Sequence, residues 1–153
     1  MKKLILIFLL FGFLFFNNCS KNEKKEIVKI QEDKIEGQMI RAYQEGIIAF
    51  EDKLYLDAAK KFNEAEILFP QSEWAPRSAL MAAYAYYYDD YNNRAISELI
   101  NFFKKYPNHP NTSYAHYLLG MSYYNKIVDE KKDLEPLKNS KKQFEYIIEN
   151  YPN

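Results

Sequence analysis

The chain has 153 residues, enough for a leader and one small domain, and its 21 Lys and Arg are balanced by 21 Asp and Glu. That balance provides no basic surface for nucleic acid. A single cysteine excludes an internal disulfide, and two histidines without a neighbouring cysteine give no metal-ligand spacing.

The N-terminus reads as an export signal over residues 1–18: Lys2 and Lys3, then an apolar run from Leu4 to Phe16. The run is too short to cross a membrane, which takes about 20 residues. Cys19 follows at the seam with a charged segment, in the sequence FFNNCSKNEKK. Its position resembles the lipobox of bacterial lipoproteins, in which the thiol takes a diacylglyceryl group and the new N-terminus is acylated, with palmitate for example. Phe16 and Asn18 depart from the usual Leu and Gly or Ala of that box. An ordinary signal peptide ending near a cysteine is the other reading. The resemblance implies a lipid anchor on Cys19, and Ser20 in place of an aspartate implies the outer membrane. Residues 19–36, rich in Lys, Glu, Asn and Gln, read as a flexible charged tether.

Residues 37–153 show an internal period. Gly46, Ala83 and Gly120 are 37 apart, as are Pro70 and Pro107, and Phe69-Pro70, Tyr106-Pro107 and Tyr151-Pro152 end successive units. The first unit orders Gly46, Ala58, Phe62, Ala65 and Pro70. The second gives Ala83, Ala95, Leu99, Phe102 and Pro107, and the third Gly120, Ser140, Phe144, Ile147 and Pro152. A small residue in the first helix lets the second approach, a large one plugs the contact, and proline ends the hairpin. The pattern resembles the tetratricopeptide repeat. The expected fold is all-α, a solenoid of about three helical hairpins (about 39–72, 76–109 and 113–153). Helices are predicted at 38–52 and 55–68, 74–89 and 92–105, and 110–128 and 134–150. Pro76 and Pro136 fall in first helical turns. Asp89-Asp90 reads as a helix-start cap, and an insertion around Asp129 to Asp133 as a longer hairpin or exposed loop. The last helix carries Phe144, Ile147 and Ile148 with nothing after it to cover them. The expectation is a fragment of a longer array or a partner on that end, against a short protein with a frayed last helix.

In tetratricopeptide arrays the first helices line a concave face. That resemblance places Ile40, Tyr43, Ile47, Phe50 and Glu51 there in unit one. Unit two contributes Arg77, Leu80, Tyr84, Tyr87 and Tyr88, and unit three Tyr114, Tyr117, Met121, Tyr124 and Asn125. Tyrosine combines a large apolar face with a hydroxyl at low entropic cost, which suits peptide recognition. Interhelix packing is the competing use of the same rings. Arg77 is the cation that could meet a carboxylate. His116 reads as a packed neutral histidine and His109 as a loop residue. With no nucleophile elbow and no phosphate loop, neither enzyme chemistry nor a cofactor is expected.

The stretch Phe69 to Tyr124 resembles the BamD family, the tetratricopeptide lipoproteins of the outer-membrane β-barrel assembly machinery. Ser72-Glu73-Trp74-Ala75, Tyr84-Ala85-Tyr86-Tyr87 and Tyr106-Pro107-Asn108-His109-Pro110 carry the likeness. The family usually has more repeats. The resemblance implies a non-catalytic adaptor at the periplasmic face of the outer membrane. Its implied partners are a POTRA-bearing barrel subunit, accessory lipoproteins and the C-terminal segments of unfolded β-barrel proteins. A periplasmic scaffold for cell-envelope enzymes would share the signal and the fold.

Overall fold

The computed structural model describes residues 22–128 and 133–152, with side chains placed from residue 33 onward. The export signal, Cys19 and the core of the insertion (129–132) lie outside the described residues. The chain divides into two units, Met1–Lys34 and Ile35–Asn153, and the repeats lie in the second. All regular structure among the described residues is helical: α1 (Asn22–Glu51), α2 (Tyr55–Leu68), α3 (Trp74–Tyr88), α4 (Asn92–Lys105), α5 (Thr112–Tyr124) and α6 (Glu135–Asn150). None of these is long and apolar enough to cross a membrane.

Helix α1 begins at Asn22, inside the stretch read as a flexible tether. That reading is corrected from Asn22 on: Glu, Lys and Gln bury little but are good helix formers. Helices α2 to α4 and α6 match the predicted spans within a residue. Helix α5 is shorter at both ends than 110–128. At its start His109 accepts a hydrogen bond from the Asn111 N–H (3.2 Å), and its carbonyl accepts one from the Thr112 hydroxyl, so the chain is held in a turn as far as Asn111. At its end, bonds from Lys126 N to Tyr123 O and from Ile127 N to Tyr124 O tighten the chain into turns.

The small-plus-large logic of the repeat is visible atom by atom. A Cβ on Gly46 would lie 2.7 Å from Phe62 Cε1, and one on Gly120 would lie 2.8 Å from Phe144 Cε1. Unit two pairs Ala83 with Leu99 in one buried cluster, the added methyl matched by a smaller plug. Glycine therefore recurs where the plug is phenylalanine, because only its bare Cα admits the ring. The hairpins end as the aromatic-proline pairs require. Phe69, Tyr106 and Tyr151 have φ of −142°, −130° and −132°, away from helical values, as residues before proline do.

Helix α3 sits between neighbouring hairpins and is buried nearly all round, which its small residues permit: Ala75, Ser78, Ala79, Ala82, Ala83 and Ala85. Helix α4 buries one stripe, Ala95, Ile96, Leu99 and Phe102, at helical spacing. Helix α6 buries only Pro136 and Ser140. Phe144 is half-buried as the plug of Gly120 rather than bare, Ile147 is half-buried, and Ile148 is 72% exposed.

A polar clasp joins units one and two. Glu66, near the end of α2, is 6% exposed, and its Oε1 accepts hydrogen bonds from Tyr106 Oη (2.9 Å) and Lys105 Nζ (2.8 Å). Burial and then this carboxylate push the Tyr106 phenol well above its ordinary value. The corresponding position of unit two, 37 residues on, is Phe103, and the junction is made differently there. The His116 ring lies between Phe103 (centroids 4.1 Å apart) and Tyr146 (4.2 Å), with Nδ1 2.7 Å from Gln143 Oε1. His116 is half-buried rather than enclosed, and burial lowers its pKa. His109, in the loop between α4 and α5, packs edge-on against Phe102 at 5.6 Å.

The turn between α3 and α4 corrects the capping role expected of Asp89-Asp90. Asp89 closes α3 and Asp90 takes a left-handed conformation (φ 56°), so Tyr91 stands at the start of α4 without a side-chain cap. Asn92 Nδ2 instead donates to the Asp90 carbonyl.

Candidate peptide-binding groove

The three first helices of the hairpins, α1, α3 and α5, carry a run of aromatic rings in mutual contact. On α1, Phe50 stacks on Tyr84 of α3 (5.4 Å, 18° between planes) and meets Tyr88 edge-on at 5.4 Å. Tyr84 and Tyr88 are 5.0 Å apart, Tyr87 and Tyr88 6.4 Å, and Tyr84 reaches Tyr114 of α5 at 6.4 Å. From Tyr114 the run continues to Tyr117 (6.3 Å) and on to Phe144 of α6 (6.3 Å). The edge-on and offset geometries are those that aromatic quadrupoles favour.

These rings divide by exposure. Tyr84 and Tyr87 are half-buried and pack on the core of units two and three, and Leu80 is 6% exposed. Tyr88 (50% exposed), Tyr114 (42%), Tyr117 (48%) and Tyr124 (58%) present their faces to solvent. Met121 and Ile47 are half-buried, Ile40 is 38% exposed, and Glu51 and Asn125 are exposed. Packing and display are thus both real uses, split between different tyrosines.

A pocket of about 460 Å³ opens on this face, lined by Tyr43, Arg77, Leu80, Met81, Tyr84, Asn111 and Tyr114. Among those seven residues Arg77 is the one cation and there is no acid. Its guanidinium lies 5.3 Å from the Trp74 ring centroid, a cation–π contact that fixes the charge beside the pocket. Burial raises the Tyr43 and Tyr114 phenols, with the Arg77 charge opposing it at Tyr43. Tyr84 is pushed up to about 12, first by burial and then by the neighbouring Tyr88 hydroxyl. All three hydroxyls are therefore neutral near pH 7 and able to both donate and accept hydrogen bonds.

Tyr43 is also a wall of a second, apolar pocket of about 420 Å³ formed with Ile40, Gln44, Ile47, Ile48 and Trp74. Tyr43 meets Trp74 edge-on at 5.1 Å, and Tyr43 is the residue shared by the two hollows. Trp74, Met81, Asn111, Gln44 and Ile48 were not placed in the groove from sequence. The signal for Trp74 was available: it is the chain's one tryptophan and stands one helical turn before Arg77, on the same face. Among the described residues no group of three His, Cys, Asp or Glu could hold a metal ion.

The fold and this face define a helical-hairpin repeat protein presenting an aromatic groove with a single fixed cation. Residues 35–153 match the YfiO family, described as outer membrane lipoprotein, and the chain belongs to that family. It is 30% identical over 135 residues (88% of this chain, 43% of the relative) to the outer membrane protein assembly factor BamD of Caulobacter vibrioides. It is 30% identical over 151 residues (99% and 57%) to the protein of the same name from Rickettsia prowazekii. With the Neisseria meningitidis serogroup B protein, also outer membrane protein assembly factor BamD, identity is 34% over 109 residues (65% and 41%). The chain spans about half the length of the curated relatives it matches.

Proposed function

We propose that this chain is a non-catalytic adaptor in the assembly of outer-membrane proteins, holding an extended, aromatic-ended segment of an unfolded β-barrel protein in its groove. The observation that carries the reading is the run of exposed tyrosines leading to a pocket whose one charge is Arg77. Extended chains offer alternate side chains to such a surface, and a terminal carboxylate complements a guanidinium. The relatives' shared name supports the assembly role. On the same reading Cys19 carries the lipid that tethers the domain to the periplasmic face of the outer membrane. The further partners are a POTRA-bearing barrel subunit and accessory lipoproteins.

The test is photocrosslinking in living cells from positions 117 and 124, whose tyrosines are exposed, rather than from the half-buried position 84. Crosslinks to C-terminal strands of β-barrel proteins, lost on Arg77→Ala, are expected. Crosslinks confined to cell-wall enzymes would overturn the assembly role, and none at either position would overturn the groove.

A further inference from the structure

The two ends of the groove are not alike. Arg77 stands in the first turn of α3 and Asn111 immediately before α5, and both line the 460 Å³ pocket. Lys60, Lys61, Lys105 and Lys141 each meet a carboxylate within 3.4 Å, whereas among the described residues Arg77 meets none. Its guanidinium rests on the Trp74 ring instead, and its charge bears on Tyr43 of α1 and on His109 of the loop before α5. Asn111 occupies the N-cap of α5, where such a side chain ordinarily bonds the helix, yet it makes no side-chain cap. A cation without an acid and an amide not spent on its helix thus share one hollow, a departure from local rules of the kind that marks functional sites.

From this hollow the rings lead along α3 toward its other end. Tyr84 lines the pocket, and Tyr88 lies 5.0 Å beyond it with half its surface exposed. The groove positions at the far ends of the first helices, Phe50, Glu51, Tyr88, Tyr124 and Asn125, hold no cation and one acid. Tyr88 stands eleven residues after Arg77, about 16 Å of helix. An extended chain covers that distance with about five residues.

We infer that the groove is directional: the free C-terminal carboxylate of the guest lies between Arg77 and Asn111 at the starts of α3 and α5, and the residues before it run toward Tyr88. This rests on the guest reading proposed above and adds to it the polarity and length of the bound segment. Arg77 supplies the charge, and the Asn111 amide can donate to the carboxylate or meet the last peptide group. A stretch from the interior of a chain has no carboxylate to place there, so the pocket selects chain ends.

The test uses the full chain and a short fluorescent peptide of alternating threonine and phenylalanine, made with a free C-terminal carboxylate or with a C-terminal amide, and read by anisotropy. The acid binds about tenfold more tightly than the amide. Asn111→Asp gives Arg77 an acid of its own and sets a like charge beside the guest, while keeping a capping residue. It abolishes the preference for the acid, and Tm holds. A photoreactive group on the last residue of the peptide marks Tyr43, Asn111 or Tyr114, and one about five residues earlier marks Tyr88. The reverse labelling pattern overturns the direction. Equal affinity of acid and amide for the unaltered chain overturns the carboxylate site, and a preference that survives Asn111→Asp overturns its place beside Asn111. If neither peptide binds the unaltered chain, the guest reading itself falls and the directional one with it.

Discussion

Replacing Gly46 by alanine sets two effects of known size against each other. Alanine gains about 1 kcal/mol over glycine within a helix. Its Cβ, however, would stand 2.7 and 2.8 Å from Cε1 and Cδ1 of Phe62, and 3.1 Å from Cζ. Phe62 cannot yield: it is fully buried and its ring meets Tyr43 at 5.3 Å. Overpacking of this kind costs about 1–3 kcal/mol, so the net expectation is a loss of about 1 kcal/mol, with 2 as the upper end. Phe62→Leu alone should lose about 1–2 kcal/mol through the space it leaves. The double variant recreates the Ala83–Leu99 arrangement that unit two uses, and should recover at least about 1 kcal/mol relative to the sum of the singles. Urea unfolding with an unchanged slope measures all four corners of the cycle. Strict additivity would refute the claim that glycine is there to admit the ring.

Tyr106→Phe removes a hydrogen bond to a buried carboxylate while Lys105 remains, and should cost about 1–2 kcal/mol at pH 7 in urea unfolding. The Tyr106 phenol is held above its ordinary value of 10.0, so the stability it contributes is present below pH 10 and lost as pH rises beyond it. The variant should therefore unfold with a shallower alkaline limb. His116 has the opposite sign. Its pKa lies below 6.5 in the fold, so its contribution is complete above pH 6.5 and is lost as pH falls through the lowered value. His116→Phe keeps a ring between Phe103 and Tyr146, and a thermal-melt series should show a smaller loss of Tm below pH 6.5. Glu98 is raised by burial first and by nearby Glu66 second, so the folded state holds its proton more tightly than the unfolded chain does. Stability accordingly falls as pH rises from 4.5, and Glu98→Gln should raise the urea midpoint at pH 7 while changing it less at pH 4.

What the chain could reveal about itself follows from the range of each interaction. The hairpin pairing was legible because it repeats: Gly46, Ala83 and Gly120 against Phe62, Leu99 and Phe144 need only a ruler of 37 residues and one insertion. The C-terminal ends of α2, α4 and α6 were legible because Pro70, Pro107 and Pro152 fix them, whereas Pro110 did not mark the start of α5. The clasp was not, because Glu66 reads as a solvated charge until Lys105 and Tyr106, 39 and 40 residues away, come to meet it. The cap expected of Asp89-Asp90 failed because the turn placed its left-handed residue at Asp90 and moved the helix start to Tyr91. The helix from Asn22 was hidden by composition, since a polar segment of strong helix formers looks like a tether when burial is the only guide. At the groove, the resemblance to tetratricopeptide arrays implied which helices carry the rings but not which tyrosines are spent on packing. That depends on how far each ring leans toward the next repeat.

Phe50, Tyr84 and Tyr114 come from three successive first helices, and their ring contacts form both the floor of the groove and the seam between repeats. Occupancy and mechanics are consequently one property of this molecule. A segment held there as proposed would, laid across the rings, fasten neighbouring hairpins together, and wedged between Tyr84 and Tyr114 would let them pivot. On the proposed reading, grip on a guest and stiffness of the scaffold would depend on the same few side chains.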